Sequence, residues 1–100
     1  TVAPPGEFGK PHRALIIQSD QFNATATVTV LLLSSSLIDA PLMRIEVSPT
    51  PENGLRKPSQ VMVAKPMTLK RDKLGKPFGH LDDSTMVVVN LSLALFLGFA

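Results

Sequence analysis

The apolar residues of this chain come in short bursts cut apart by Gly, Pro, Ser and Asn, a spacing that favours a sheet of short strands over a bundle of helices. Residues 14–18 read as a buried strand, closed by a Ser19-Asp20 turn and a polar stretch over 21–23. Residues 25–33 form the next. There Thr27-Val28-Thr29-Val30 alternates as a half-exposed surface does, whereas Leu31-Leu32-Leu33 is apolar throughout, and Ser34-Ser35-Ser36 ends it. Met43-Arg44-Ile45-Glu46-Val47 alternates cleanly, which points Met43, Ile45 and Val47 inward and Arg44 and Glu46 to water.

Residues 48–58 hold three prolines and the pair Asn53-Gly54, so they read as a long loop with a tight turn inside it. A strand follows over 60–64, with Thr68-Leu69 extending it past an irregularity at Pro66. A single helical turn is expected over 71–74, and a short strand over 78–81 whose start Pro77 keeps at an edge. Asp82-Asp83-Ser84 offers N-cap side chains for a terminal helix that Gly98 stops. In that helix Val87, Leu91 and Leu95 recur every four residues, and Val88 with Phe96 extends the stripe that would bury it. The β-branched Val87-Val88-Val89 run leaves a strand possible there. Five or six short strands and one late helix predict a mainly β (α+β) domain, a small, strongly bent sheet or partial barrel with the helix packed on it.

One hundred residues make a single domain over 1–100, and 44% hydrophobic residues suffice for its core. So small a domain gains from self-association. Cys is absent, which removes disulfides and thiolate metal sites and suits a reducing cytoplasm. Two isolated histidines do not make a zinc site. Residues 1–5 have neither the basic start nor the apolar stretch of a secretory signal. The longest apolar segment, over 86–100, falls short of the ~20 residues that span a bilayer, so no membrane contact is expected. Net charge is only +2, but Arg56, Lys57, Lys65, Lys70, Arg71, Lys73 and Lys76 crowd one segment against Asp72 alone. That segregation fits a polyanion-facing surface, or simply a solvated basic face.

Several motifs, in order, resemble the MazF/PemK toxins of type II toxin-antitoxin systems. They are Gly9-Lys10-Pro11 before residues 14–18, Gln18-Ser19-Asp20 with Phe22-Asn23 after them, and the serine turn at Ser34. The longest runs from Pro51-Glu52-Asn53-Gly54 through Leu55-Arg56-Lys57-Pro58 to Ser59-Gln60-Val61, and Asp82-Asp83-Ser84-Thr85-Met86 opens the last helix. The resemblance implies an SH3-like barrel with a C-terminal helix, a homodimer, and a metal-independent endoribonuclease that cuts single-stranded mRNA without a cofactor. It also implies an antitoxin partner whose acidic tail fills the RNA groove. The family's basic-Gly-acid start would lie before Thr1, so the start of the first strand would be missing.

Such cleavage uses the RNA's own 2′-hydroxyl, and the enzyme must move protons and stabilise a more anionic phosphorane. His12 could act as acid or base and Arg13 could clamp phosphate oxygens. Ser34, where the family carries a threonine, could hydrogen-bond the phosphate. Lys10, Ser35, Arg56, Lys57 and Lys65 would contact the RNA, and His80 reads as structural. The chain departs from the family where Arg-Pro is expected, since those places read His12-Arg13, and where Ala64 replaces an acid. A one-residue step flips a side chain across a strand. The departures point to weakened or retargeted activity, so the rival reading is a catalytically weakened module that binds the antitoxin or nucleic acid. Third comes a gyrase-poisoning toxin, whose Trp-Gly-Ile ending is absent here.

Overall fold

The computed structural model describes residues 13–22 and 24–99. Its elements are β1 (Arg13–Ile16), β2 (Thr27–Ser34), β3 (Arg44–Val47), β4 (Ser59–Lys70) and a C-terminal helix α1 (Asp83–Leu97). Single 3₁₀ turns lie at Asp20–Phe22 and Arg71–Lys73. The four strands form one antiparallel sheet in the order β1-β2-β4-β3, so β2 and β4 are central. The expectations for the first strand, and the barrel they would close, fall on residues outside those described.

Strands β1, β2 and β4 divide their side chains between two apolar clusters, whereas β3 contributes to one. Leu15, Leu31, Leu33, Val47 and Val61 meet Leu55, Leu81 and Val89 in the larger cluster, on the face that carries α1. Ala14, Val28 and Val30 build the smaller cluster on the opposite face, with Ile16, Leu32, Met67 and Leu69 against it. This division explains the unbroken Leu31-Leu32-Leu33: both sides of β2 are covered. Each fully buried Val or Leu contributes roughly 1.5–3 kcal/mol.

Strand β4 is longer than its apolar run suggests, because it continues through Pro66, which sits opposite Leu31 where the β2–β4 register shifts. That irregularity is where a residue without an N–H can be accommodated in a central strand. Arg71 ties the end of β4 to the β1–β2 connection, its Nε donating to the Thr25 carbonyl at 2.7 Å. One member of the basic segment is therefore occupied structurally.

Three expectations are corrected. Residues 78–81 do not form a strand; they run as a strap whose His80 N–H donates to the Glu52 carbonyl at 2.9 Å. Gly79 explains the close approach, since a Cβ there would lie 2.6 Å from the Asn53 carbonyl carbon and oxygen. The helix also presents the other side: Met86, Val89 and Leu93 pack on the larger cluster, while Val87, Leu91 and Leu95 are exposed. α1 is apolar nearly all round, so periodicity could not select its inner face. Met43 too is exposed, beyond the edge of β3.

The helix ends are as expected. The Asp82 carboxylate accepts from the Thr85 N–H at 3.1 Å and from the Ser84 and Thr85 hydroxyls. These bonds, Ser84's first, lower its pKa from 3.8 to about 2. Gly98, at φ +83°, closes the last turn in the left-handed conformation.

Candidate functional site

The site grows from one end of the sheet, where β1 begins and β2 ends. Arg13 opens β1 opposite Leu33, and its Nη1 donates to the Gly54 carbonyl at 3.2 Å. Its guanidinium carbon lies 5.1 Å from the centre of the Phe78 ring, within cation–π reach. Two connections thus hold one cation: the 48–58 loop through Gly54 and the 78–81 strap through Phe78.

The loop is stiff because Asn53 is buried inside it. Its Oδ1 accepts from the N–H groups of Thr50 at 3.0 Å and Leu55 at 2.9 Å, and its Nδ2 donates to the Ser48 carbonyl at 2.9 Å. Gly54 then turns at φ +67°, a conformation disfavoured for residues with a Cβ, and the Phe78 ring fills the space where a Cβ would sit. Asn53-Gly54 was legible as a turn, although its role in seating Phe78 was not.

Ser34 ends β2 opposite Gln60. Its Oγ accepts from the Ser36 N–H at 3.1 Å, the local serine turn expected of such a residue. Behind that turn Gln60, 2% exposed, accepts from the Ile38 N–H through Oε1 at 3.1 Å and donates to the Ile38 carbonyl through Nε2 at 2.9 Å. Arg44 adds longer contacts to Gln60 Oε1 and the Ser36 carbonyl, both 3.4 Å. Sequence alternation gave Arg44 to water and left Gln60 unremarked; their partners lie 8 to 22 residues away, where no local pattern points.

Arg13 shares the face of Leu15 and Leu33, whereas Ser34 shares that of Leu32, so the two candidates flank the same end of the sheet from opposite faces. Regular pairing with β2 begins at Arg13 itself, and the loop before it lies outside the described residues. Lys10 and His12 lie outside the described residues. Ser35, Arg56 and Lys57 are exposed on the loops beside this end, and Lys65 is exposed on β4. Lys65 and Arg44 line a cleft of about 220 Å³, beside a larger one of about 490 Å³ between Leu37, Ile38, Gln60 and Val88. Among the described residues no group of three His, Asp or Glu side chains could hold a metal ion. Nor is any described helix long and apolar enough to cross a membrane.

A small antiparallel sheet with a C-terminal helix is a fold shared with solved bacterial toxins. The fold is shared with Mycobacterium tuberculosis toxin MazF-mt6, at a TM-score of 0.84 and 19% identity over 99% of this chain and 97% of that one. An endoribonuclease solved in complex with its cognate antitoxin, from a mycobacterial species, superposes at 0.78 with 26% identity over 99% and 92%. Residues 2–97 match the family described as PemK-like, MazF-like toxin of type II toxin-antitoxin system, and the chain belongs to that family. A probable endoribonuclease MazF of Mycolicibacterium smegmatis is 45% identical over all of this chain and 93% of its own length. The chain is accordingly a toxin of the endoribonuclease type.

Proposed function

We propose that this toxin folds as one domain over residues 1–100 and works in the cytoplasm as a homodimer. It cuts single-stranded RNA, mRNA included, at short sequences and without a metal ion. The observation that carries the site assignment is Arg13: a guanidinium fixed at the sheet's end, giving one described hydrogen bond, to Gly54, and keeping other donors for a phosphate. The RNA 2′-oxygen attacks the adjacent phosphorus, the bond to the 5′-oxygen breaks, and a cyclic phosphate and a 5′-hydroxyl result. Arg13 stabilises the phosphorane, His12 moves the proton, and Ser34 binds a phosphate oxygen from across the sheet's end. Lys10, Ser35, Arg56, Lys57 and Lys65 hold flanking phosphates.

The exposed Val87, Leu91 and Leu95 of α1 supply an apolar face for the second protomer. The cognate antitoxin of the mycobacterial neighbour supports an antitoxin here, whose acidic tail would compete with RNA for the same cations. The opposite orientations of Arg13 and Ser34 favour one alternative, a binding module of weakened activity.

The test is cleavage of a long single-stranded RNA in excess EDTA by the wild type, Arg13→Ala and His12→Ala. Discrete products ending in cyclic phosphate are expected from the wild type, with a loss of at least about 100-fold in Arg13→Ala. Intact RNA beside a folded dimer would refute the enzyme and leave the binding module.

A further inference from the structure

We propose that Phe78, together with the guanidinium on its ring, is a nucleobase-stacking subsite for the single-stranded RNA. The proposal rests on the RNA-cleaving reading above. Phe78 belongs to neither apolar cluster and is 41% exposed, yet it is not a loose loop residue. Its ring sits where a Gly54 Cβ would be, with Cδ1 2.7 Å from that position, and the next residue is wedged against the Asn53 backbone. A ring already immobilised loses little further freedom when a ligand stacks on it.

The surroundings suit a nucleotide. Among the described residues, Phe78 is the aromatic with a cation over its ring. Unpaired bases stack on aromatic rings and on arginine planes alike, and Arg13 and Phe78 present both side by side. Arg56 and Lys57, exposed two and three residues beyond Gly54, stand ready for phosphates flanking the stacked base. Among the described residues Phe22, Phe96 and Phe99 are more exposed than Phe78, but none has a cation over its ring.

The chain contains no Trp and no Tyr, so Phe78→Trp creates its only long-wavelength fluorophore exactly where the base should stack. The variant is titrated with a 2′-O-methyl single strand of mixed sequence, about twelve nucleotides long, which has no free 2′-hydroxyl to attack. A second titration uses an abasic strand of the same length, and the anisotropy of labelled copies reports binding separately. Expected are strong quenching by the mixed strand, none by the abasic one, and abasic binding weaker by about 5- to 150-fold. In the same assay Phe78→Leu should bring the affinity for the mixed strand down towards the abasic value. Anisotropy that reports binding without quenching overturns the subsite and leaves the RNA reading standing. Absence of binding by either strand at low salt overturns both.

Discussion

Replacing Gly79 by alanine would strike a contact that nothing in its own backbone conformation reveals. A Cβ at that position would lie 2.6 Å from the Asn53 carbonyl carbon and oxygen and 2.7 Å from the Glu52 oxygen, all of them backbone atoms. No flexible side chain can step aside, so the strap must lift from the 48–58 loop. Lifting it lengthens or breaks the His80 N–H bond to Glu52, 2.9 Å in the native protein, at about 0.5–1.5 kcal/mol. Overpacking strain in the neighbouring loop and at Leu81 adds about 1–3 kcal/mol. The expected loss is about 2–4 kcal/mol, a large share of the roughly 5–15 kcal/mol that holds a small domain folded. It should lower the melting temperature by about 10–25 °C. Urea unfolding of the wild type and variant measures the difference, with Gly98→Ala as the control. Gly98 needs φ +83°, but an added Cβ would meet no atom within 4 Å, so its cost is limited to about 1–2 kcal/mol of backbone strain. A loss below about 1 kcal/mol in Gly79→Ala, or one no greater than in Gly98→Ala, would refute the steric argument.

Asn53→Leu removes the partner of three backbone groups at a 3%-exposed position, and urea unfolding should record a loss of about 3–5 kcal/mol; under about 1 kcal/mol would mean water replaces the amide. Asp82 has a folded pKa of about 2 against 3.8, so its stabilisation is complete above pH 4 and fades as the pH falls from 4 through 2. Thermal unfolding across that range should therefore fall more steeply in the wild type than in Asp82→Asn, and parallel curves would count against the cap. Leu91→Glu with Leu95→Glu should leave circular dichroism intact and convert the proposed dimer to a monomer in sedimentation; a dimer that persists would place its interface elsewhere.

Much of the sheet was legible because burial leaves a period-two signature. Ile45 and Val47 in β3, and Leu31 to Leu33 in β2, fall where alternation or its absence put them. Residues 78–81 misled because an apolar pair in an extended segment looks the same whether it bonds a strand or straps a loop. The inner face of α1 was illegible for a different reason: an outer stripe as apolar as the inner one leaves sequence no contrast to read. In the candidate site, Arg13 and Ser34 could be named, while their opposite faces depended on a register fixed by the whole sheet. Phe78, Gln60 and Arg44 gave no local signal, since each earns its place through a partner distant in sequence.

The pairing of β2 with β4 has a kinetic meaning. These central strands join residues far apart in the chain, from Ser34 with Gln60 to Thr27 with Lys70, and β3 adds itself to β4 from between them. On a ribosome β1 and β2 emerge well before β4, so the edge of β2 that β4 covers stays unpaired until residues up to Lys70 have emerged. Contacts of such long sequence separation close slowly, on the millisecond-to-second side of two-state folding. The loop bearing Gly54 and the strap bearing Phe78 lie on either side of β4 in the sequence, so the seat of Arg13 needs chain from both sides of that strand. A nascent or truncated chain therefore carries no assembled seat for that arginine.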